Sequence, residues 1–315
     1  MLPNFLCLGA QKSGTTTLWR LLDAHPQICM ATPRETRFFS EATRFADGLA
    51  AYEVLHFAHW RGEIAVGEKC PEYLYQPEVP GRLRDTLGAD LKFLICLRSP
   101  AQRAYSHYRH NVFQLRESRS FEAALGEEAA EIDSGARVPP PFGYLGRGLY
   151  AEQLQRYFDR FGSERCHLSP FESIVTAQAA VADGAFAFLG VAPPRHGGPP
   201  VHDGHPPLET LRLEINGAGD RRTVTMARPG PARASGWRAR VRALLHRPGP
   251  ERDIVRVRRP SSALLALAQR VEAVRAAPTL LTRAEELRIN RQHFSADLAR
   301  LESMARFPVR HWLEA

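Results

Sequence analysis

The stretch "LGAQKSGTTTLW", residues 8–19, decides the fold. Gly9 and Gly14 have the separation of the two glycines in a nucleotide triphosphatase loop, G-x-x-x-x-G-K-[ST]. Thr15 stands where that motif has its lysine, and a lysine lies inside the loop instead, at Lys12. The stretch therefore indicates a phosphate-binding loop that differs from the one used to bind a nucleoside triphosphate with Mg²⁺.

The residues around this loop predict a strand before it and a helix after it. Residues 4–9, "NFLCLG", read as a short buried strand. Leu18, Leu21 and Leu22 then follow at helical spacing, and Pro26 ends the pattern. In this order the N–H groups at the helix start face the anion, and the helix dipole favours negative charge there.

Downstream segments continue the alternation of strand and helix. Strands are predicted in "GEIAVGEKC" (62–70), "LKFLICLRSP" (91–100) and "RCHLSPFESI" (165–174), and helices in "AQRAYSHYRHNVF" (101–113) and "YAEQLQRYFDRFG" (150–162). Such alternation predicts an α/β fold with a parallel sheet. The Pro-, Gly- and Arg-rich residues from about 195 to 277 predict an irregular insert within a single domain, 1–315. Thr282 and Glu285 then form a capping box that opens a C-terminal helix, whose predicted apolar side is marked by Leu287, Phe294, Leu298 and Leu301.

Composition narrows the class of protein. The 315 residues are 44% hydrophobic and 24% charged, which is typical of a globular protein. The five cysteines form no CxxC pair, so neither a zinc site nor a disulfide framework is indicated. No signal-peptide pattern and no run of about 20 apolar residues is found, so no membrane span and a cytoplasmic location are expected.

The positive charge is concentrated in one segment. The net charge is +8, and residues 209–278 hold 15 arginines against 6 acidic residues. A nucleic-acid-binding surface along the whole chain is therefore not expected. Only three of the 42 Lys and Arg residues are lysines, at positions 12, 69 and 92. A lysine kept in so Arg-rich a chain points to a specific use, because the two cations differ in geometry and hydration.

The motifs resemble those of sulfotransferases that use 3′-phosphoadenosine 5′-phosphosulfate (PAPS). Residues 8–26 resemble the family's 5′-phosphosulfate loop, and "LKFLICLRSPAQRAYSHYRH" is similar to its 3′-phosphate motif. "PRETRFFS" and "GEKCPEYLY" resemble segments of the heparan-sulfate-type branch that carry a catalytic glutamate and a lysine. The fold that this resemblance implies is α/β, a P-loop NTPase-like three-layer fold with a central parallel sheet flanked by helices.

The resemblance also implies the site residues. The donor-binding residues are expected to be Lys12, Ser13, Gly14, Thr15, Thr16, Thr17, Arg98 and Ser106. Lys12 would neutralise the leaving phosphate, Glu35 would be the general base, and Lys69 would hold the sulfonate or steer the acceptor. No metal is expected. The products would be a sulfated acceptor and adenosine 3′,5′-bisphosphate.

Several points stay open at this level. The residue before the glutamate is Arg34, where the family usually has lysine, and His25, His107 and His110 are weaker candidates for the base. The residues of the basic loop that would close over the 3′-phosphate are sought among Asn216, Arg221, Arg222, Arg228 and Arg233. The acceptor would be a small molecule or glycan, with its identity and the oligomeric state unassigned. A small-molecule kinase using Mg-ATP and a non-catalytic polyanion-binding protein are the alternatives.

Overall fold

The computed structural model describes residues 1–136, 138–193, 212–216, 223–229, 252–258 and 261–314. The chain forms two compact units. The larger contains Met1–His107, Glu128–His202 and Leu281–Ala315, and the smaller contains Tyr108–Glu127 and Asp203–Leu280.

A parallel sheet of five strands is the centre of the larger unit. Its strands are β1 (Phe5–Gly9), β2 (Ile28–Met30), β3 (Ala65–Lys69), β4 (Lys92–Leu97) and β5 (Cys166–Pro170). They lie in the order β2-β3-β1-β4-β5, and every pairing is parallel. The predicted α/β class is confirmed: the fold is P-loop NTPase-like, with a central parallel sheet flanked by helices.

Thirteen α-helices occur among the described residues. They are α1 (Thr15–Asp23), α2 (Ala42–Ala46), α3 (Gly48–Phe57), α4 (Glu72–Tyr75), α5 (Val79–Leu87), α6 (Pro100–Phe113), α7 (Phe121–Asp133), α8 (Tyr150–Phe161), α9 (Phe171–Thr176), α10 (Gln178–Leu189), α11 (Ser262–Ala276), α12 (Arg283–His293) and α13 (Ser295–Met304). Within the described part of the chain, no helix has the length and apolarity needed to cross a membrane.

Close packing fixes the middle of the sheet. Phe5 of β1 is fully buried and pairs with Gly67 of β3. A Cβ at Gly67 would lie 2.1 Å from the Phe5 ring, so only glycine leaves room for the aromatic side chain. This contact holds β1, the strand that leads into the glycine loop, against β3.

The strand order creates a crevice at one edge of the sheet. β1 and β4 are neighbours, but the chain leaves β1 towards β2 and leaves β4 towards β5. Ligands of open α/β sheets bind at such a switch point, outside the carboxyl ends of the strands. The loop after β1 and the Arg98 segment after β4 both begin at this edge.

The C-terminal helix prediction is partly wrong. The capping box of Thr282 and Glu285 is present and opens α12 as predicted. However, the helix does not continue through residue 301, because Phe294 leaves the helical conformation at φ −125° and ψ 0°. The buried ring of Phe294 packs against Gly148, so closely that a Cβ on Gly148 would lie 2.7 Å from the ring. Packing of this ring accompanies the break between α12 and α13.

The smaller unit contains an antiparallel sheet of β6 (Arg212–Asn216), β7 (Thr223–Pro229) and β8 (Arg252–Arg258), in that order. In the same unit, Arg109 donates to the carbonyl oxygen of Val274 in α11 at 2.7 Å. These strands and the whole of α11 fall within residues 195–277, for which the sequence predicts an irregular insert, so part of that segment is regular. The single-domain boundaries themselves stay a prediction.

Candidate active site

The glycine loop turns sharply into α1. Lys12 and Gly14 both have left-handed backbone conformations, with φ of 68° and 84°. A Cβ at Gly14 would lie 3.1 Å from Ile174 and 3.2 Å from Phe171, so α9 packs directly against the loop. The helix that follows begins at Thr15 with no side-chain cap and no acidic residue in its first turn. Its first N–H groups are therefore suited to binding an anion.

Arg98 is fixed beside this loop from three directions. Its Nη1 donates to the carbonyl oxygen of Lys12 at 3.3 Å, and its guanidinium lies over the Phe171 ring at 4.4 Å. The Tyr150 hydroxyl donates to the Arg98 carbonyl oxygen at 2.9 Å. Burial lowers the pKa of Arg98. Ser106, the other predicted contact to the 3′-phosphate, is half-buried in α6, about 9 Å along the axis from the helix start.

Lys12 lies among like charges. Burial and, to a smaller extent, the charges of Arg98, Lys69 and Arg103 together lower its pKa to about 8, while Glu35 opposes the shift. The structure thus brings three of the predicted residues, Lys12, Lys69 and Arg98, into one electrostatic cluster. Such a concentration of cations favours an anionic ligand, whose charge would offset their repulsion.

Glu35 and Lys69 form an ion pair at this cluster. Lys69 ends β3, its side chain is only 2% exposed, and its Nζ donates to Oε1 of Glu35. Glu35 is 32% exposed and follows β2 in a segment without regular structure. The carboxylate is therefore held by a buried cation while part of it stays accessible, as a group that exchanges a proton with a substrate must be.

The turn before α8 is clamped by two buried charges that sequence reasoning missed. The carboxylate of Glu128 accepts hydrogen bonds from the three successive N–H groups of residues 144–146. The fully buried Arg103 donates to the carbonyl oxygens at the start of the same turn, those of Gly143 (3.4 Å) and Tyr144. This clamp precedes Tyr150 and so helps to place its hydroxyl at Arg98.

The other predicted residues fall into different positions. The Ser13 side chain is fully buried and its N–H donates to the carbonyl oxygen of Ala10, so Ser13 offers no exposed donor. Ring nitrogens of His25 and His107 lie 2.8 and 2.9 Å from backbone carbonyl oxygens, a structural use that disfavours both as the base.

The residues predicted for the basic loop in the C-terminal third cannot be assigned to the site. Asn216 and Arg228 lie in β6 and β7, while Arg221, Arg222 and Arg233 lie outside the described residues. Metal ligands were not predicted, and no cluster of three or more His, Cys, Asp or Glu suited to a metal ion occurs among the described residues.

Asn290 is a further residue that the sequence did not single out. It is fully buried in α12, and its Oδ1 accepts a hydrogen bond from the N–H of Ala101 at 3.0 Å. Its Nδ2 donates to Ser99 Oγ at 3.1 Å and to the Trp312 carbonyl oxygen at 2.8 Å. The amide therefore binds the start of α6, directly after Arg98. No local pattern predicts a contact across 189 positions.

Comparison with known proteins decides the family. A family model described as "Sulfotransferase domain" matches residues 2–196. The chain belongs to the sulfotransferase family. The match covers all five strands of the parallel sheet, the glycine loop, Glu35, Lys69 and Arg98.

Relatives of this sulfotransferase come from distant organisms. The crystal structure of a sulfotransferase from Alicyclobacillus acidocaldarius is similar to this one, with a TM-score of 0.56 and a sequence identity of 34%. The match covers 66% of this chain and 89% of that chain. A membrane-associated sulfotransferase of Dictyostelium discoideum is 33% identical over 43% of this chain and 30% of its own length. Mouse heparan sulfate glucosamine 3-O-sulfotransferase 5 is 27% identical over 61% of this chain and 54% of its own length. The matches thus span about a third to a half of these curated relatives.

Proposed function

We propose that this sulfotransferase moves a sulfuryl group from PAPS to an acceptor hydroxyl, or to an amine, with Glu35 as general base. The observation that carries the proposal is the cation cluster of Lys12, Lys69 and Arg98 beside the uncapped start of α1. A donor with anionic groups at both ends of its ribose matches a site in which the loop and Arg98 provide separate anion-binding groups. The planar guanidinium of Arg98 suits bidentate binding of the 3′-phosphate, with Ser106 as its second contact.

Each residue has a distinct part in the proposed in-line displacement. The acceptor oxygen attacks sulfur while the sulfur–oxygen bond to the 5′-phosphate breaks, and the bond's electron pair stays on the phosphate. Glu35 takes the acceptor proton, a contribution of roughly 10²–10⁴-fold in rate. Lys12 neutralises the charge that develops on the leaving oxygen, an effect that is strongest in the transition state. Lys69 holds Glu35 and adds positive charge next to the sulfonate.

The acceptor class is proposed more broadly than the donor. The curated relatives include enzymes named for heparan sulfate glucosamine. For this chain we propose a carbohydrate, a lipid or a secondary metabolite as acceptor. The proposed reaction itself requires no metal ion.

The first experiment measures heat stability with adenosine 3′,5′-bisphosphate, with AMP and with Mg-ATP. A ligand at 100 times its Kd stabilises the fold by about 2.7 kcal/mol. The bisphosphate is expected to raise the melting temperature without metal, and Arg98→Ala is expected to abolish that rise. Release of the bisphosphate from PAPS, with water as acceptor, is expected to exceed the uncatalysed rate.

Two results would count against the proposal. Stabilisation by Mg-ATP alone would support a kinase and remove the PAPS assignment. An unchanged rate of bisphosphate release in Glu35→Gln would refute the assignment of Glu35 as general base, while leaving the donor assignment intact. Glu41→Gln serves as the control, because Glu41 is another partly exposed glutamate of the same segment and pairs with Arg37 and Arg44 rather than with Lys69.

A further inference from the structure

A buried carboxylate lies directly beside the proposed catalytic pair and has no part in the mechanism above. Glu68 precedes Lys69 in β3 and is completely buried. Three hydroxyl groups donate to it: Thr36 and Tyr73 to Oε1, the latter at 2.8 Å, and Tyr52 to Oε2. Burial of a carboxylate costs free energy, so a buried glutamate at this position is expected to have a structural or functional role.

Glu68 is the acceptor in all three of these hydrogen bonds. The Thr36 Oγ1 atom already accepts from the N–H of Phe38 at 3.1 Å, and the Tyr73 hydroxyl already accepts from the N–H of Phe39 at 3.1 Å. Each hydroxyl has one hydrogen atom, and it uses that hydrogen to donate a hydrogen bond to Glu68. Burial raises the pKa of Glu68, and the hydrogen bonds from the three hydroxyls act against that shift.

The same network fixes the segment that carries Glu35. Two adjacent residues of β3, Glu68 and Lys69, bind two adjacent residues of the segment, Thr36 and Glu35. The next residue, Arg37, is left-handed with φ of 58°, and the two N–H groups that follow are the ones held by the hydroxyls. The backbone around Glu35 is therefore anchored to β3 at a point that does not involve Glu35 itself.

We propose that Glu68 is a positioning residue, which orients Glu35 for proton transfer by holding Thr36. This inference rests on the proposed role of Glu35 as base. In this role Glu68 acts through the hydroxyl of Thr36 rather than on Glu35 directly. Loss of the Thr36 hydroxyl would free the segment, so the carboxylate would lose its alignment while the donor site, built from the glycine loop and Arg98, stays intact.

The test compares Thr36→Val with Thr36→Ser, alone and combined with Glu35→Gln. The rate of bisphosphate release from PAPS is measured with water as acceptor, and the Kd of adenosine 3′,5′-bisphosphate is measured alongside. Thr36→Val is expected to lower the rate by roughly 10- to 100-fold, with the Kd within about twofold of the parent. Thr36→Ser keeps the hydroxyl and is expected to retain most of the rate.

The double variant separates positioning from general stability. If Thr36 acts through Glu35, adding Thr36→Val to Glu35→Gln should change the remaining rate by less than about twofold, since coupled residues are not additive. An equal loss in both backgrounds, or a full rate in Thr36→Val, would overturn the inference. A fully active Glu35→Gln would instead remove the base assignment, and this inference with it.

Two further variants complete the test. Thr86→Val, at a half-buried threonine that donates to the Arg82 carbonyl oxygen within α5, is the matched control and should leave the rate unchanged. Glu68→Gln addresses the carboxylate directly. It keeps the volume but replaces an acceptor oxygen with a donor, and should lower the rate with the bisphosphate Kd preserved. An unchanged rate in Glu68→Gln would also contradict the proposed role.

Discussion

Raising the pH from 7 to 9 should weaken the binding of adenosine 3′,5′-bisphosphate by about tenfold, because it removes the proton from Lys12. In the ligand-free protein the pKa of Lys12 is lowered to about 8 by burial and by Arg98, Lys69 and Arg103. A bound anion offsets this repulsion and raises the pKa back towards the ordinary value of 10.5. Binding is then coupled to protonation of this one amine.

The magnitude follows from the two pKa values. A group whose pKa rises on binding contributes affinity that is complete below the lower pKa and disappears as the pH approaches the higher one. For values of about 8 and 10.5, the ratio of affinities at pH 7 and pH 9 is about 10, or about 1.4 kcal/mol. The phosphate groups contribute little to this change, since their second pKa is about 6.

Isothermal titration calorimetry at pH 7, 8 and 9 would measure the Kd of adenosine 3′,5′-bisphosphate, with Lys12→Arg and Lys12→Gln as controls. Lys12→Arg keeps its charge over this range and should bind with nearly constant affinity. Lys12→Gln should bind more weakly at pH 7 and show no decrease up to pH 9. A wild-type affinity that is constant from pH 7 to 9, or the same decrease in Lys12→Gln, would refute the reasoning.

Three other outcomes are expected. Phe171→Leu removes the ring under Arg98 and should weaken bisphosphate binding about 2- to 30-fold, the equivalent of 0.5–2 kcal/mol for a cation–π contact, as measured by titration. Gly67→Ala places a methyl group 2.1 Å from Phe5 and should lower the free energy of unfolding by about 1–3 kcal/mol in a denaturant titration. Asn290→Ala leaves the N–H of Ala101 and the Trp312 carbonyl without their partner and should lower the melting temperature, with a cost of about 1–3 kcal/mol for each buried group.

The sequence predicts the elements of this fold whose signals are local. The strand, loop and helix around Gly9 and Gly14 are found as predicted, since apolar runs and glycine positions act over a few residues. The capping box at Thr282 is equally local. The break at Phe294 was not predicted, because the hydrophobic pattern continues through it and the Gly148 position that its ring meets is distant in sequence.

Residues of the candidate site could be proposed from the sequence where a motif is contiguous, and not where the site depends on contacts between separate segments. Lys12, Glu35, Lys69 and Arg98 were singled out from motifs, and their grouping in one cluster is visible only in the structure. Phe171 and Glu68 escaped notice because their partners Arg98 and Thr36 lie 73 and 32 positions away. Parallel strands join such remote segments, and no spacing rule within the chain predicts which side chains will meet.

The packing of α9 on the glycine loop has a consequence for the order in which the site is completed during synthesis. The loop is synthesised before the side chains that pack against Gly14, which belong to Phe171 and Ile174. At roughly 5–20 residues per second, the ribosome needs about 8–32 s to add those 160 residues. Throughout that interval the nascent chain lacks the helix α9 that packs against its glycine loop. A ligand of the proposed donor site is therefore expected to stabilise only chains that have passed residue 174.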